Sequence, residues 1–312
     1  MPEQTVQTTD EKLPQPAEGT SPKARNGKPR RADDEFTTNY HVYEPFQAGL
    51  PPLGPYFREC WRRRHFALQL AYTKLRARNY DTVLGQLWLV LTPLLMAAVY
   101  YMLITIIRGG SRGPEHFAHL VAALFVYNLF AQSVRQGVSS IVGGGKLILN
   151  TAFPRLLLPF SAVAFAFRRF LPTIPIAAAV HLIVGVPVGW ETLLVIPIIA
   201  IVLVTALGVA CLVAACQVYV RDLSNFVRPV LRVGHFTTPI LYTAEEAVER
   251  GLGLLMWVNP MAPAIRALGD AVDHAEVPQA TVWAAAVGWA VFLCIAGVLF
   301  FLSRERELAV RL

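Results

Sequence analysis

The residues of this sequence best suited to phosphate chemistry are Gly145, the last of three consecutive glycines, and Lys146, which follows it. In a P-loop, the motif G-x-x-x-x-G-K-[ST] follows a strand and cradles a nucleotide phosphate. Here Ser140 stands where the motif needs its first glycine, Leu147 replaces the hydroxyl residue, and an apolar segment precedes the run. The chain therefore lacks this motif, and a separate partner must supply ATP hydrolysis if the protein moves a solute uphill.

Other reactive side chains give no pattern typical of a catalytic or metal site. His116 and His119 are three residues apart, and no further metal ligands accompany them, so we expect both to be surface residues. No carboxylate is evident inside the apolar segments, which argues against a carrier coupled to protons or sodium. Four cysteines show neither metal nor disulfide spacing and are expected to be small core residues: Cys60, Cys211, Cys216 and Cys294. We predict no catalytic residue, metal or cofactor in this chain, with ATP and Mg bound by the partner ATPase.

Two adjacent cations, Arg168 and Arg169, lie within a long apolar stretch. An Arg at the bilayer centre costs roughly 2.5–3.5 kcal/mol on insertion scales, which disfavours contact with lipid. Successive residues are about 100° apart on a helix, so the two side chains point to different places. We expect at least one to line a polar path or to pair with another subunit. The alternative is that the span starts later and both side chains extend to the membrane interface.

These residues are carried by a chain with the composition of a membrane protein. Of 312 residues, 54% are hydrophobic and 16% are charged. A helix needs about 20 apolar residues to cross roughly 30 Å of hydrocarbon. Six stretches are candidates: 83–107, 119–142, 156–184, 192–216, 226–242 and 282–302. The fifth is short and contains Pro229, Gly234 and Pro239, so it is expected to cross only as a bent or discontinuous helix. We predict an all-α integral membrane protein with six transmembrane helices.

Lys and Arg are distributed unevenly between the two sides of these spans. With the N-terminus inside, 21 lie on the inner side and 4 in the outer loops. Because positive residues are retained in the cytoplasm, we predict a multi-pass protein of the plasma (inner) membrane with both termini cytoplasmic. The net charge of +7 follows from this asymmetry and does not indicate nucleic-acid binding.

The segment 143–155 is compact and partly charged, and it lies between two apolar runs. Its three glycines disfavour continuation of the incoming helix. About two helical turns can follow before Pro154, which disfavours helix at Phe153. We predict a short helix at the cytoplasmic membrane surface that acts as a lever, with an ordinary loop between spans as the alternative.

Two further regions lie outside the six spans. Residues 1–55 hold nine prolines and few large apolar groups, which predicts a disordered cytoplasmic tail. Residues 56–82 are expected to form an amphipathic helix in the inner interface, or simply a positive anchor for the first span. Its apolar stripe consists of Phe57, Trp61, Leu68, Tyr72 and Leu75. The outer segment 243–279 has two amphipathic pieces, 245–257 and 262–272, typical of a re-entrant or surface hairpin.

Aromatic and polar side chains occur together in the spans. Sugars present flat C–H faces that suit aromatic rings and hydroxyls that suit Asn, Gln and Tyr, as in other binding sites. Aromatic residues are also normal near membrane interfaces.

The residues from about Tyr56 onward resemble the membrane subunit of polysaccharide ABC exporters, the type-two permease family that includes the O-antigen exporter Wzm and the teichoic-acid exporter. The matching motifs are Arg78-Asn79-Tyr80, Leu84-Gly85-Gln86-Leu87-Trp88, Thr92-Pro93-Leu94-Leu95, Asn150 with Phe153-Pro154, Arg221-Asp222-Leu223, Thr238-Pro239-Ile240-Leu241-Tyr242 and Asn259-Pro260. The long N-terminal tail and the pair Arg168 and Arg169 depart from the usual pattern. The composition and the tail are similar to those of actinobacterial members, in which the glycan would be cell-wall galactan.

The resemblance implies a homodimer joined to two copies of a cytoplasmic ATPase, exporting a glycan linked to a polyprenyl diphosphate. Implied ATPase-coupling residues are Lys146, Leu147, Asn150, Phe153, Pro154, Arg155, Arg221 and Asp222. Implied channel residues are Tyr100, Tyr101, Phe125, Tyr127, Phe130, Phe165, Phe167, Arg168 and Arg169. The implied interface gate for the lipid-linked substrate contains Trp61, Arg62, Arg63, Tyr72 and Arg78, and the outer pieces between Thr243 and Val272 would be re-entrant gate helices.

Two other functions compete with glycan export. A drug or lipid exporter of the same superfamily is favoured if the pore is too narrow or too apolar for sugar. A membrane-bound glycosyltransferase needs polar catalytic residues, usually carboxylates, at a donor site. The one close acidic run, Asp33-Asp34-Glu35, lies in the predicted tail, which disfavours the enzyme.

Overall fold

The computed structural model describes residues 52–79, 87–108, 110 and 113–308. The predicted tail lies outside these residues except for its last four positions, and so does most of the Leu84–Trp88 motif. Within the described residues all regular structure is helical, which confirms the all-α prediction. The α-helices are α1 Leu53–Arg62, α2 Arg64–Asn79, α3 Leu87–Arg108, α4 Pro114–Val138, α5 Gly145–Asn150, α6 Leu157–Phe170, α7 Thr173–Val184, α8 Val195–Tyr219, α9 Leu223–Thr237, α10 Ala244–Glu249, α11 Gly253–Val258, α12 Ala262–Val272 and α13 Ala280–Leu308.

Five helical segments of the described chain are long and apolar enough to cross a membrane. They are Val90–Ile107, Pro114–Val138, Leu157–Val184, Trp190–Tyr219 and Ala280–Leu308. The remaining predicted span corresponds to α9, which has 15 residues and so is about 22 Å long. Its predicted extension to residue 242 is wrong. The helix ends at Thr237 because Pro239 disfavours helical backbone at Thr238, whose ψ is 143°.

The boundaries of the other spans also differ from those predicted: α8 begins and ends three residues late, and α13 continues six residues beyond the predicted end, to Leu308. Helix α4 begins five residues early, because Pro114 suits a first helical turn and Gly113 turns the chain at φ +86°. It also ends at Val138, so the three glycines follow the helix end instead of causing it. The span 156–184 is divided at Leu171–Pro172 into α6 and α7, since Pro172 cannot donate the next helical hydrogen bond.

The interior of the bundle is built around α4, with α6, α8 and α13 close to it or to each other. Small residues permit this packing. A Cβ atom placed on Gly137 of α4 would lie 2.6 Å from the Cβ of Ala210 on α8, and one placed on Gly297 of α13 would overlap the backbone of Gly208 on α8. Close backbone approach through small residues is a common way for membrane helices to associate.

The two ends of the bundle carry different sets of short helices. Helices α1 and α5 lie at the end where α4, α8 and α13 finish, which we call the α5 end. Helices α10, α11 and α12 lie at the opposite end, the α12 end.

The predicted amphipathic helix 56–82 is two helices, α1 and α2, joined at Arg63. Helix α2 runs beside α6 and buries Ala67 and Ala71 completely. The predicted stripe is therefore not the face that packs on the protein: its aromatic members Phe57, Trp61 and Tyr72 stay exposed. Small residues fit the close approach of two helices, whereas large aromatic ones would separate them.

The predicted outer pieces are three helices. Residues 245–257 form α10 and α11, which are separated at Gly251, a residue with φ +76°. Thr243 begins α10 with a capping box in which its hydroxyl accepts from the Glu246 N–H. Helix α12 packs deeply into the bundle, where Ile265 and Leu268 join the main core.

Candidate functional site

The predicted lever is helix α5, which ends at Asn150 and thus four residues before Pro154. Thr151 adopts extended backbone, so the helix stops earlier than the proline requires. One side of α5 is anchored, because Ile148 is buried and Leu147 packs beside it in a core cluster with the end of α8. Lys146 and Asn150 lie on the exposed side. The Asn150 amide donates to the Lys146 carbonyl oxygen over 2.8 Å, which stabilises the single helical turn between them.

The chain after α5 is held by the carboxyl end of α13. Glu305 is only 8% exposed, and its Oε1 accepts the backbone N–H of Arg155 at 2.7 Å and the Tyr56 hydroxyl at 2.9 Å. The Arg155 guanidinium donates to the backbone carbonyl of Glu305. The Tyr56 oxygen in turn accepts the N–H of Leu156 at 3.3 Å. These contacts join α1, α13 and the segment 151–156, which we call the Glu305 junction.

The Glu305 junction shifts the pKa values of two nearby groups, the Tyr56 hydroxyl and the Cys60 thiol. Burial, together with the adjacent Glu305 carboxyl, raises the pKa of the Tyr56 hydroxyl far above its ordinary value, so that hydroxyl stays a donor. Burial and the same carboxyl raise the pKa of the Cys60 thiol to about 11, which keeps the thiol protonated.

The joint between α1 and α2 and helix α2 itself each contact the same segment. Arg63 donates from Nη1 to the carbonyl oxygen of Ala152 over 2.7 Å. The ring centroids of Phe66 and Phe153 are 5.3 Å apart, a normal distance for an aromatic pair. The predicted coupling residue Phe153 therefore contacts the same helix pair that was predicted to form the interface gate.

The remaining predicted coupling residues lie at the α5 end. Pro154 is buried, whereas Arg221 and Asp222 are exposed between α8 and α9. The Gln217 side chain donates to the Arg221 carbonyl oxygen at 2.7 Å and closes this turn. Val218 and Tyr219 of α8 join the cluster that anchors α5.

The predicted gate residues are distributed along α1 and α2. Trp61 is 70% exposed, with the Arg64 guanidinium 4.7 Å from its ring centroid. Arg62 pairs with Glu59 at 2.7 Å. The side chain of Arg78 lies outside the described residues. The gate role of this set stays a prediction.

Arg168 and Arg169 do point to different places, as helical geometry predicts. The Arg168 guanidinium lies 5.6 Å from the ring centroid of Tyr72 on α2. The Arg169 guanidinium lies 5.7 Å from the centroid of the Phe165 ring and borders a cavity of about 200 Å³ between α3, α4, α6 and the start of α7. Phe125 lines the same cavity. One arginine therefore contacts the predicted gate helix, while the other borders a cavity whose lining is mainly apolar.

Three other predicted channel residues belong to an aromatic cluster between α3, α4 and α9. Its centre is Tyr127, which is 4% exposed and donates its hydroxyl to the Leu231 carbonyl oxygen at 2.5 Å. The His235 ring lies 5.1 Å from Tyr127 and 5.7 Å from Tyr100, and Phe130 is 6.1 Å from Tyr127. His235 and its neighbour Phe236 were not singled out from the sequence, although they lie in the broken fifth span.

The last predicted channel residues contact core helices. Tyr101 donates to the Gly113 carbonyl oxygen at 3.1 Å and packs against Phe117. Phe165 is buried and Phe167 packs against the main core. Their assignment to a channel stays a prediction.

A second polar cluster lies at the α12 end. Asp273 accepts from two histidines: its Oδ2 is 2.5 Å from His119 Nδ1 and its Oδ1 is 3.2 Å from His181 Nε2. Burial acts to raise the pKa of Asp273, but the hydrogen bonds from His119 and His181 hold that pKa below its ordinary range. The expectation that His116 and His119 are surface residues is wrong, because α12 covers this part of α4. Among the described residues, no group of acidic, His and Cys side chains is arranged to hold a metal ion.

Two of the motif residues fasten α9 to the loop before α12. The Asn259 amide donates to the Thr238 hydroxyl at 2.9 Å and to the Thr237 hydroxyl at 3.2 Å. Its carbonyl oxygen accepts the N–H of Met261 at 3.0 Å. The motifs Thr238-Pro239 and Asn259-Pro260 thus form one connection.

Known proteins with similar sequences have a consistent description. Two are O-antigen export system permease proteins RfbA of Klebsiella pneumoniae: one is 30% identical over 61% of this chain and 73% of its own length, and the other is 29% identical over 63% and 75%. An O-antigen export system permease protein RfbA of Myxococcus xanthus is 28% identical over 81% of this chain and 97% of its own length. No protein-family model matches the chain.

The extent of the match and the helical membrane architecture agree with the motif resemblance. With 30% identity over nearly three quarters of a relative's length, the chain belongs to the O-antigen export permease family, the membrane subunits of polysaccharide ABC exporters.

Proposed function

We propose that this chain is the transmembrane subunit of an ATP-driven exporter that moves a polysaccharide linked to a lipid diphosphate from the cytoplasm across the plasma membrane. It works as a homodimer with two copies of a cytoplasmic ATPase, and the glycan is of the galactan, O-antigen or teichoic-acid type. The names of the similar proteins support polysaccharide export. The lipid diphosphate and the glycan type are inferred from the family resemblance.

The observation that carries the proposal is the attachment of the α5 segment. Helix α5 presents Lys146 and Asn150 outward, while the chain behind it is tied to α1 and α13 through Tyr56 and Glu305. A force applied to α5 by an ATPase is therefore passed to helices α1 and α2. A free loop would absorb such a motion, whereas a hydrogen-bonded and packed segment transmits it.

The charge asymmetry supports the orientation. In the part of the chain that the structure describes, most Lys and Arg residues outside the spans lie at the α5 end, which we assign to the cytoplasm. The ATPase then approaches from that side, where Arg221 and Asp222 are also exposed.

The function is tested by depleting the protein in its native cell and identifying the lipid-linked intermediates that accumulate on the cytoplasmic side. We expect a glycan attached to a lipid diphosphate, and its sugars identify the substrate. Expression of the wild-type chain should clear the intermediate, whereas a chain with a disrupted α5 segment should not. Normal cell-wall polymers outside, with no intermediate inside, would contradict glycan export and favour a drug or lipid exporter.

A biochemical experiment separates the transporter from an enzyme. The purified chain alone should hydrolyse no ATP, and hydrolysis should require the partner ATPase. Intrinsic ATP hydrolysis or glycosyl transfer by the purified chain would contradict the assignment as a permease.

A further inference from the structure

A cavity larger than the one beside Arg169 lies along α7, in the half of the bundle nearer the α12 end. Its volume is about 340 Å³. Its walls are α7, the 3₁₀ turn Trp190–Leu194 with the start of α8, and parts of α4 and α12. The cavity opens between α7 and α8, where its lining residues Leu182, Leu193 and Ile196 are exposed. Because α7 and α8 belong to segments long and apolar enough to cross a membrane, this opening faces lipid.

The shape of the cavity follows from one face of α7. The lining residues of this helix fall in two adjacent rows with a spacing of four, which places them on a single face: Thr173, Ile174, Ala177, Ala178, His181 and Leu182. The two alanines leave open the space that larger side chains would fill. From Thr173 to Leu182 the face is about 14 Å long, close to half of the roughly 30 Å hydrocarbon core. The cavity therefore spans about one leaflet.

The two ends of the cavity lie at different depths in the membrane. At one end, Thr173 is near the middle of the segment Leu157–Val184 and Phe125 is near the middle of α4. At the other end, Val188 belongs to the connection between α7 and the 3₁₀ turn. Trp190 is exposed beside it and is a residue type enriched at membrane interfaces. A chain in the cavity would run from the interface to the midplane, as a lipid acyl chain does.

The lining is apolar apart from two threonines and a histidine. The Thr173 hydroxyl donates to the Phe170 carbonyl oxygen at 2.6 Å. His181 Nδ1 lies 2.8 Å from the Ala177 carbonyl oxygen, and its Nε2 lies 3.2 Å from Asp273 Oδ1. These polar groups are bonded to the protein, so the cavity offers water few partners. Apolar cavities of this kind stay dry and accept apolar molecules.

The outer mouth of the cavity carries an acidic side chain. Glu191 lies between Trp190 and Thr192 in the 3₁₀ turn and is partly exposed, and residues 185–194 contain no Lys or Arg. A carboxylate repels an anionic head group and attracts an ammonium group. The charge at the mouth therefore favours a zwitterionic phospholipid over an anionic one.

We propose that this cavity binds one acyl chain of a zwitterionic phospholipid from the leaflet at the α12 end, with the chain along the Thr173–Leu182 face and the ammonium group of the lipid near Glu191. The lipid fills the space between α7 and the helices α4 and α12, and so supports the contact of His181 with Asp273. The inference needs only the membrane bundle, and it holds whatever substrate the protein exports. An isoprenoid chain is the competing occupant, and the experiment separates the two.

The test is photo-crosslinking of the full chain, purified with its partner ATPase, in phosphatidylcholine nanodiscs. The nanodiscs contain a small fraction of phosphatidylethanolamine with a diazirine near the end of one acyl chain, and mass spectrometry locates the adducts. We expect adducts on Phe125 and Val126, which are buried and which lipid reaches only through the cavity. Ile183 is 85% exposed and lies outside the lining, so its adducts report lipid at the protein surface. The readout is the ratio of adducts on α4 to adducts on Ile183.

Matched variants of α7 test whether the cavity holds the chain. Ala178→Phe should lower the ratio about fivefold, because its ring occupies the space of the acyl chain. The control is Ala179→Phe, which adds the same ring to an exposed neighbour outside the lining and should leave the ratio within about twofold of wild type, since the cavity stays open. Ala177→Leu provides a second filling variant if Ala178→Phe does not fold. A normal elution volume and the same amount of co-purified ATPase show that a variant is folded.

The head group is tested with a phosphatidylglycerol probe that carries the same acyl chain. It should give a lower ratio than the phosphatidylethanolamine probe, and Glu191→Gln should reduce the difference. Equal ratios for the two probes in the wild-type chain would overturn the preference for a zwitterionic lipid.

Three further results would overturn the site. Absence of adducts on Phe125 and Val126 in the wild-type chain would mean that no acyl chain enters the cavity. An unchanged ratio in both Ala178→Phe and Ala177→Leu would mean that the adducts arise elsewhere. Loss of the α4 adducts on addition of an equal amount of undecaprenol would mean that the cavity prefers an isoprenoid chain to a phospholipid.

Discussion

Glu305 holds Arg155 twice: its carboxylate accepts the Arg155 backbone N–H at 2.7 Å, and its backbone carbonyl accepts the Arg155 guanidinium. The same carboxylate accepts the Tyr56 hydroxyl, so one side chain joins α13, α1 and the segment after α5. A buried carboxyl group with two donors fixes their separation closely, because moving either donor breaks one of its hydrogen bonds inside the protein.

Changing Glu305 to Ala should loosen the link between ATP hydrolysis and export. A hydrogen bond to a charged group is worth roughly 1.5–3 kcal/mol, so loss of the two bonds costs about 3–6 kcal/mol, part of which appears as lower stability. We expect the transporter reconstituted with its ATPase to hydrolyse ATP while exporting less glycan for each ATP. The ratio of the two rates in proteoliposomes is the measurement.

Two milder variants separate the roles within the Glu305 junction. Tyr56→Phe removes one hydroxyl and should reduce the ratio less than Glu305→Ala does. Glu305→Gln keeps an acceptor oxygen for the Arg155 N–H and should retain most coupling. A Glu305→Ala protein with an unchanged export-to-hydrolysis ratio would show that the junction does not transmit motion.

Changing Phe153 and Pro154 together to Ser and Gly should also uncouple hydrolysis from export. The change removes the Phe66–Phe153 ring contact and frees the backbone of a segment that is now buried at Pro154. Membrane insertion should be normal, because both residues lie between the spans. Protease protection of the spans provides that control, and unchanged coupling would contradict the lever.

The sequence predicted helix α5, but it did not predict the residues that hold this segment in place. Glycines and a proline are local signals, and they bracket a short helix whose bounds differ by a few residues from those predicted. The contact between Tyr56 and Glu305 joins residues 249 apart, and nothing in the local pattern around either residue indicates it. Partners of this kind depend on how helices pack, so a single sequence does not reveal them.

The aromatic and polar residues of the spans also show this difference between what local sequence indicates and what helix packing decides. Composition indicated that Arg168 and Arg169 need polar surroundings, and helical geometry indicated that they diverge. Only the packing of α2 beside α6 decides that Tyr72 meets Arg168. The break at Leu171–Pro172 was visible as a proline, but the cavity beside it arises from four helices together.

Changing Asn259 to Ala should destabilise the connection between α9 and α12. Its amide bonds to two threonine hydroxyls and its carbonyl oxygen accepts the Met261 N–H, so the loss is about 1–3 kcal/mol. We expect a lower midpoint of thermal unfolding in detergent. Thr237→Val removes the longer of the two Asn259 contacts, at 3.2 Å, and the bond from the Thr237 hydroxyl to the Gly234 carbonyl oxygen. It keeps the shorter contact to Thr238 and should have a smaller effect. Equal midpoints for wild type and Asn259→Ala would show that the connection does not limit stability.

Changing Gly297 to Val should separate α8 from α13. A side chain at this position overlaps the backbone of Gly208, which cannot move aside as a flexible side chain would. Overpacking of this kind costs typically about 1–3 kcal/mol. We expect less folded protein in the membrane and earlier thermal unfolding. Gly288 lies on the same helix with open space around its Cβ position, so Gly288→Val is the matched control and should be tolerated.

The hydrogen bonds of Asp273 to His119 and His181 should make the stability of the fold depend on pH. The pKa of Asp273 is below its ordinary value of 3.8 in the folded chain, so its hydrogen bonds to His119 and His181 stabilise the fold fully above that value. This stabilisation is lost as the pH falls through the lowered pKa, because protonation of the carboxylate then costs less in the unfolded chain. Asp273→Asn lacks the charge at every pH. We therefore expect the difference in unfolding midpoint between wild type and Asp273→Asn to be large at pH 7 and to shrink below about pH 4. A difference that stays constant from pH 7 to pH 3 would mean that the carboxylate charge contributes nothing to the contact between α4, α7 and the end of α12.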